Sequence, residues 1–256
     1  MLSKYQSYRD RLVTPSDVPI PVSELDSFDW FNHQSTAPEK VAMPDHISVI
    51  NAGVETTDQR KLRMLKQLSL TCTACSMCEL GLKGAEKNSE VRDPHVFSSM
   101  TPSRCMVVGQ NPGWNEVKQQ IPFVGAAGKN FDQEIKKHDV GRDAFYITNT
   151  VRCYTADNQR PTLRHVDRCE PFLRMEIGLL KPKLVVALGA VAFAQLCPEA
   201  EFGTSLKTIT KSQKFGIPVF AVYHPSPLNL TDKHRKQEFA SQIAILCAMV
   251  KRLDRS

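Results

Sequence analysis

Three apolar segments of this 256-residue chain each run into polar residues that can bind or activate a planar ligand. The first is followed by Gln110 and Asn111, the second by Asn149 and the third by His224. Asn149 offers a donor and an acceptor together, as recognition of an amide or imide edge requires. His224 can donate to an oxygen that gains negative charge, although a capping histidine explains its position equally well. Gln110 and Asn111 can hold a water through their carbonyl oxygens, so chemistry here would depend on orientation more than on deprotonation.

Loop residues near these positions complete a candidate pocket. Gly109 and Gly113 bracket a Gln-Asn-Pro turn and leave backbone N–H groups open at a strand end, where open α/β sheets bind ligands. Phe123 can serve as a flat platform for a planar ring, while a lone Phe is more often a core residue. Ser226 and Asn229, followed by the basic run 233–236, suit phosphate groups. A charged helix start that faces solvent explains that run equally well.

Cysteine spacing indicates a metal centre. Cys72, Cys75 and Cys78 are separated by two residues each, and Cys153 and Cys169 lie further along the chain. In an intracellular protein this spacing favours metal binding over disulfides. Four thiolates suit both a structural zinc and a 4Fe-4S cluster. The spacing does not choose between the two, nor does it decide whether Cys72 is a ligand.

The elements that must position these residues alternate between strands and helices. We expect strands at 104–109, 144–148, 184–189 and 217–223, and helices at 57–70, 128–139, 162–180, 190–196 and 233–253. This alternation predicts an α/β fold with three αβα layers around a central, mostly parallel, four-stranded sheet. The main domain is expected to span residues 57–256.

The first 56 residues have a different character. Prolines are scattered through them and no apolar period is sustained, which predicts an extended or partly irregular arm. Phe28, Trp30 and Phe31 form its only aromatic cluster after residue 8. We expect this cluster to pack on the main domain or to dock on a protein partner.

Charge and hydropathy narrow the class of protein. The formal net charge of +6 is compatible with a polyanionic partner and does not require one. No apolar run reaches the roughly 18 residues that a membrane span needs, and no secretion signal follows residue 1. We therefore expect a monomer that does not engage membranes, in a reducing intracellular compartment, either the cytoplasm or the nucleoid.

Several motifs, in order along the chain, resemble the uracil-DNA glycosylase superfamily, and above all its iron–sulfur branch, family 4. Residues 75–80 look like that branch's C-x-x-C-x-L, residues 122–128 like its P-F-V-G-x-A-G, and residues 146–153 like its Y-I-T-N-x-V-K-C. The resemblance runs from about residue 62 to the end, some three quarters of the chain.

The resemblance implies an activity and a cofactor. The activity is monofunctional hydrolysis of the N-glycosidic bond of uracil in DNA, by base flipping and attack of water. The cofactor is a 4Fe-4S cluster on Cys75, Cys78, Cys153 and Cys169, with zinc as the alternative.

The resemblance also assigns roles in the cleft. Phe123 stacks on the flipped base, and Asn149 recognises its pairing edge. His224 stabilises charge on the base O2, and Glu116 crowds the C5 position against thymine. Leu228 fills the gap left in the DNA.

Two departures from the family 4 pattern bear on the substrate range. Family 4 carries Gly-Glu-Ala-Pro-Gly or Gly-Glu-Gly-Pro-Gly where this chain has Gln110 and Asn111 between its glycines. An Asn at this position is similar to the mismatch-specific and single-strand-selective branches, where it positions the attacking water. Residues 224–228 look like the motif of the clusterless uracil glycosylases, whose Leu wedges into the duplex.

Two other functions stay open at this point. One is a weakly active or inactive glycosylase-like subunit that binds DNA in association with replication. The other is a zinc-stapled nucleotide enzyme of unrelated chemistry.

Overall fold

The structure is a computed structural model that describes residues 20–21, 56–70, 72, 74–75, 95–155 and 159–253. Two predictions fall on residues outside these ranges: the aromatic cluster at Phe28, Trp30 and Phe31, and Cys78 as a ligand. Of the predicted arm, the structure describes only Ile20–Pro21 and residue 56. The domain boundary near residue 57 therefore stays a prediction.

Strands and helices alternate through the described part of the chain. The strands are β1 (Ile20–Pro21), β2 (Cys105–Gly109), β3 (Phe145–Asn149), β4 (Leu184–Leu188), β5 (Thr208–Lys211) and β6 (Pro218–Val222). The helices are α1 (Thr57–Leu70), α2 (Trp114–Gln119), α3 (Ala126–Lys136), α4 (Leu163–Leu180), α5 (Ala190–Leu196), α6 (Pro227–Leu230) and α7 (Lys233–Leu253). All four predicted strands and all five predicted helices are present. The short helices α2 and α6 were not predicted.

The sheet has the strand order β1-β5-β6-β4-β2-β3. The pairs β6–β4, β4–β2 and β2–β3 are parallel, and β5 and β1 extend the β6 edge in antiparallel fashion. The expected α/β fold with a mostly parallel sheet is confirmed, while the count of four strands was too low. β5 was missed because Thr-Ile-Thr-Lys offers one apolar residue, too little for a period to be recognised.

Helices cover both faces of the sheet. Every residue of the four parallel strands β2, β3, β4 and β6 is buried, as a parallel sheet enclosed on both sides requires. Alternate residues of β2 enter different layers. Cys105 and Val107 pack with residues of α3 and α7, whereas Met106 and Val108 pack with residues of α1, α4 and α5. Among the described helices, none is long and apolar enough to cross a bilayer.

Candidate functional site

The carboxyl ends of β2 and β3 meet at one edge of the sheet. Gly109, the last residue of β2, is paired with Asn149, the last residue of β3. The chain stays joined beyond the strands, since Thr150 N–H donates to the Gly109 carbonyl at 2.9 Å and Val151 N–H donates to the Gln110 carbonyl at 3.0 Å. The loop after β2 is thus fixed to the loop after β3.

Phe123 and Asn149 both lie against the α-carbon of Gly109. A β-carbon at Gly109 would stand 2.3 Å from Cε2 of Phe123 and 2.5 Å from Oδ1 of Asn149. Both distances are well below van der Waals contact, so only glycine lets the ring and the carboxamide approach this strand end together. The two side chains therefore border one cleft.

The carboxamide of Asn149 is buried without a partner. The residue is 1 % exposed, and within the described residues neither Nδ2 nor Oδ1 makes a hydrogen bond. A buried polar group left unsatisfied costs about 1–3 kcal/mol, so nearly all such groups in proteins have partners. This donor and acceptor pair is therefore available to a ligand with the complementary edge.

Phe123 is held in a strained backbone conformation. Its φ is 54°, a region that a bulky residue seldom adopts unless its surroundings impose it. Gly128 is part of those surroundings, because a β-carbon there would stand 1.8 Å from the Phe123 carbonyl oxygen. Arg142 holds the preceding residue by donating to the Pro122 carbonyl while its guanidinium pairs with Asp132 at 2.8 Å. The ring is 6 % exposed, so it is a core residue and a wall of the cleft at once.

His224 faces Phe123 from the loop after β6. The two ring centroids are 6.3 Å apart with an interplanar angle of 48°. Gly189 has a φ of 91° and a β-carbon there would stand 2.9 Å from Cβ of His224, so this glycine makes room for the histidine. Asn229 Nδ2 donates to the His224 carbonyl at 3.1 Å. Burial lowers the pKa of His224 to about 4, which keeps the imidazole neutral near pH 7.

Gln110 and Asn111 are tied to one another and to a more distant threonine. Gln110 Nε2 donates to Asn111 Oδ1 at 3.0 Å, and Asn111 Nδ2 donates to Thr155 Oγ1 at 3.3 Å. The Thr155 hydroxyl in turn donates to the Gln159 carbonyl at 2.6 Å. The Asn111 carbonyl oxygen keeps a second lone pair that can accept from a water. Sequence reasoning missed Thr155, because nothing in the sequence links it to Asn111, 44 positions earlier.

Glu116 connects the two loops that flank the cleft. Its Oε2 accepts from Gly113 N–H at 3.0 Å, and its Oε1 accepts from Gly125 N–H at 2.6 Å. The first bond closes the N-terminus of α2, and the second ties that helix to the loop that carries Phe123. The carboxylate therefore holds the backbone, a role that sequence reasoning did not assign to it. Its expected role against thymine stays a prediction.

The three residues expected to face DNA lie on the short helix α6 or directly before it. Ser226 caps it, since its hydroxyl oxygen accepts from Asn229 N–H at 3.4 Å. Leu228 is 81 % exposed, more than any other large apolar residue among those described. Residues 233–236, at the start of α7, are also exposed. Asn229 serves the His224 loop, as described above, whereas Leu228 is free to meet a partner.

Cysteines from three parts of the fold line one cavity. They are Cys72 and Cys75 after α1, Cys153 after β3, and Cys169 in α4. The described cysteines form no disulfide. Although these side chains share a cavity, no three His, Cys, Asp or Glu residues in the described ranges stand close enough to hold one metal ion. Four thiol groups around a single cavity match the donor set of a cysteine-ligated cluster, which is larger than one ion.

A buried ion pair lies between this cavity and Asn149. Arg152 Nη2 and Glu176 Oε2 are 2.8 Å apart, and their side chains are 2 % and 0 % exposed. Arg152 also lines the cysteine cavity. Sequence reasoning missed the pair. The available signal was Glu176 itself, a charged residue on the buried face of α4 between Leu173 and Ile177.

Comparisons with known proteins identify the relatives of this chain. The family model of the uracil DNA glycosylase superfamily matches residues 97–246, more than half of the chain. A Type-4 uracil-DNA glycosylase of Sulfurisphaera tokodaii is 36 % identical over 134 residues, which are 48 % of this chain and 60 % of that protein. A Type-4 uracil-DNA glycosylase of Archaeoglobus fulgidus is 31 % identical over 155 residues, 57 % of this chain and 77 % of that protein. A Type-5 uracil-DNA glycosylase of Pyrobaculum aerophilum is 34 % identical over 146 residues, 50 % of this chain and 63 % of that protein.

The matched part of the chain spans 60 % of the Sulfurisphaera protein and 63 % of the Pyrobaculum protein, less than two thirds of each. The match with the Archaeoglobus protein covers more than two thirds of its length. The resemblance expected from the motifs is confirmed, since the family model extends from the segment before β2 into α7. The chain belongs to the uracil DNA glycosylase superfamily.

Proposed function

We propose that this protein excises uracil from DNA by hydrolysing the N-glycosidic bond of deoxyuridine. The observation that carries the proposal is the unpartnered, buried carboxamide of Asn149 beside the ring of Phe123. A planar base with one donor and one acceptor on its edge satisfies both needs at once. Uracil has this edge, with N3–H as the donor and O4 as the acceptor.

Base binding begins with extrusion of the nucleotide from the DNA. Flipping costs a few kcal/mol, and least in single strands and mismatches. The Phe123 ring stacks on the extruded base, Asn149 Oδ1 accepts from uracil N3–H, and Asn149 Nδ2 donates to O4. Cytosine carries an acceptor at N3 and a donor at position 4, so it opposes both contacts.

His224 supports bond cleavage. As the bond between C1′ and N1 breaks, its electron pair moves onto the base and negative charge grows on O2. A neutral imidazole can donate one N–H to that oxygen without having to lose a positive charge afterwards. Burial favours this form, because it lowers the pKa of His224 to about 4. One such donor is worth about 10²–10³ in rate.

Water completes the reaction from the loop after β2. A water that donates to the Asn111 carbonyl oxygen, with Gln110 fixing that oxygen, adds through its own oxygen to the sugar cation at C1′. Its proton passes to solvent, and the uracil anion leaves. The cation is reactive enough that orientation of the water matters more than a strong base, as in other steps governed by positioning.

The cysteine cavity fits an iron–sulfur cluster. Cys75, Cys153 and Cys169 are three of the ligands that the motif resemblance implies, and they line one cavity in the structure. Cys78, the implied fourth ligand, lies outside the described residues, while Cys72 stands in the same cavity. A 4Fe-4S cluster here would join the segment after α1 to β3 and α4. Its test is the visible absorbance of the purified protein together with iron and sulfide analysis, and zinc with a colourless protein would contradict it.

An excision assay tests the activity. Incubation of the pure protein with a uracil-containing oligonucleotide, followed by alkali, should cleave the strand at the uracil position only. A matched oligonucleotide with thymine at that position is the control. The Asn149→Asp variant should relax or invert the preference for uracil over cytosine, since an aspartate edge matches cytosine better. Intact uracil strands with wild-type protein would contradict excision.

A second candidate is a glycosylase-like DNA-binding subunit of low activity. The hydrogen bond from Gln110 Nε2 to Asn111 Oδ1 favours this candidate, because it already occupies part of the side-chain carbonyl that would hold the water. Binding of uracil oligonucleotides without strand cleavage in the same assay would support this candidate.

Partners and location follow from the excision proposal. The substrate is uracil-containing DNA, single- or double-stranded. The exposed side chain of Leu228 would insert into the DNA and fill the gap left by the flipped base. The protein acts as a monomer in the cytoplasm or nucleoid, and residues 1–56 offer a docking segment for a protein partner.

A further inference from the structure

Asn149 ends the outermost strand of the sheet. β3 has β2 on one side, and the described part of the chain places no further strand on the other. Thr150 N–H bonds toward β2, so the carbonyl of the preceding residue points to the open side. Earlier on this side, Ser99 takes the place of a strand, since its N–H donates to the Ile147 carbonyl at 2.8 Å and its hydroxyl accepts from Ile147 N–H at 2.9 Å.

Arg152 meets the carbonyl of Asn149 at this open edge. Its Nη1 donates to the Asn149 carbonyl at 2.6 Å and also to the Thr148 hydroxyl. The guanidinium lies over the Phe97 ring with Cζ 5.6 Å from the centroid. Arg152 as a whole is 1 % exposed. A fully buried cation therefore supplies the hydrogen bond that a neighbouring strand would supply elsewhere.

Glu176 fixes the orientation of this guanidinium. Its Oε2 is 2.8 Å from Arg152 Nη2, and its Oε1 accepts from the Thr148 hydroxyl at 3.3 Å. Burial of two charges is costly, and it is repaid only when geometry and further hydrogen bonds are good. Here the planar fork of Arg contacts the carboxylate with one nitrogen and the strand end with the other. Nη2 and Oε2 form an ion pair without hydrogen-bond geometry, so the hydrogen bonds of Nη1 to the strand end are what tie the guanidinium to β3.

We propose that Arg152 is a positioning residue for base recognition, which holds the Asn149 backbone so that the carboxamide keeps the angle that uracil requires. The proposal rests on the proposed excision of uracil. Under this proposal Asn149 contacts the base, while Arg152 contacts only the backbone of Asn149. The carboxamide has no hydrogen-bond partner of its own among the described residues, so its direction depends on its packing against Gly109 and on the position of the backbone that carries it.

Removal of Arg152 alone would leave Glu176 buried and unpaired, which destabilises proteins strongly. The informative variant is therefore Arg152→Met combined with Glu176→Met, because replacement of both charges by apolar groups is often neutral for stability. We expect its melting temperature and visible absorbance to stay close to those of wild type. If Arg152 is only structural, a double variant as stable as wild type should recognise the base as well as wild type does. If Arg152 positions Asn149, the stable double variant should still recognise the base less well.

Base recognition is measured by binding rather than by turnover. The probe is an oligonucleotide with 2′-fluoro-2′-deoxyuridine, whose N-glycosidic bond resists cleavage, compared by fluorescence anisotropy with a matched cytosine oligonucleotide. The double variant should lose about tenfold in its preference for the uracil probe, the loss expected when a hydrogen-bonded edge is misaligned. Arg152→Lys should restore most of the preference, since an ammonium can still donate to the Asn149 carbonyl. Arg174→Met is the control. It removes an ion pair with Glu170 on the exposed side of α4, the helix that also carries Glu176.

The outcomes separate the proposals. If the double variant does not fold, Arg152→Gln with Glu176→Gln replaces it, and its shorter Gln should produce the same tenfold loss. Wild-type preference in either folded double variant would overturn the role of Arg152. A wild-type protein that prefers the uracil probe and yet releases no uracil would overturn excision and leave the positioning role intact. No preference for the uracil probe in wild type would overturn both.

Discussion

The rings of Phe123 and His224 lie 6.3 Å apart at an interplanar angle of 48°, although they follow strands β2 and β6 at different positions in the sheet. Phe123 reaches the cleft through its long loop, and His224 stands directly after its strand. This tilt allows a base to stack on one ring and to present an edge to the other. The pair therefore divides binding and charge stabilisation between two loops.

Removal of the imidazole should slow excision without loosening the base. In His224→Ala we expect kcat to fall about 10²–10³-fold, the usual value of one oxyanion donor, with a much smaller change in KM. Single-turnover release of uracil measures this. Turnover near the wild-type rate would exclude His224 from the reaction.

The burial of His224 should also appear in the pH dependence of stability. Its pKa is lowered from 6.5 to about 4 on folding, so the unfolded chain binds the proton more readily than the folded protein does. Protonation of His224 in the unfolded chain therefore lowers the free energy of unfolding as the pH falls from 6.5 toward 4, and above pH 6.5 this loss is absent. Its size is on the order of 3 kcal/mol. Denaturant unfolding at several pH values, compared with His224→Gln, isolates it, and parallel curves for both proteins would contradict the assignment.

A single methyl group should disturb the floor of the cleft. Gly109→Ala places a carbon 2.3 Å from the Phe123 ring and 2.5 Å from the Asn149 oxygen, so one of them must move. We expect affinity for uracil oligonucleotides to drop by about tenfold or more, because both contacts with the base are affected. Gly203→Ala is the matched control, since nothing lies within 4 Å of the added carbon. Equal affinities for the two variants would show that the cleft lies elsewhere.

Glu116 allows two roles to be separated. Glu116→Gln leaves one oxygen to accept from either Gly113 or Gly125 and places an NH₂ group opposite the other N–H. We expect a loss of about 1–3 kcal/mol in the free energy of unfolding, the cost of an unmet buried donor. The resemblance further predicts that Glu116→Ala releases some thymine. Unfolding curves and thymine release from a T-containing oligonucleotide test the two roles independently.

The cysteine set can be assigned by substitution. Cys153→Ser and Cys169→Ser should each abolish the visible absorbance and the iron content expected of the proposed cluster. Cys72→Ser and Cys78→Ser distinguish the fourth position, because only the true ligand should behave like Cys153. Cys197→Ser is the control, since Cys197 is buried in the core layer beneath α5 and lies outside the cavity.

The sequence predicted those features that depend on residues close to one another along the chain. Apolar runs that end in polar residues located the four parallel strands, and parallel strands bring their ends to one edge, which is why Asn111, Asn149 and His224 could be grouped in advance. Phe123 was added to this group as a loop aromatic. Strands β1 and β5 and helices α2 and α6 were missed, because each has too few residues for a period to emerge. The bonds of Glu116 and the pairing of Arg152 with Glu176 could not be predicted, since they depend on which loops and helices pack together in three dimensions.

The floor of the recognition cleft is bare backbone. Gly109 has no side chain that could be shortened, so a designer who wants to admit a bulkier lesion cannot enlarge the site from below. Room must come from the opposite wall, and there the segment 122–128 is constrained by the contact between Gly128 and the Phe123 carbonyl. Retargeting this scaffold to larger damaged bases therefore requires a rebuilt loop rather than a point change.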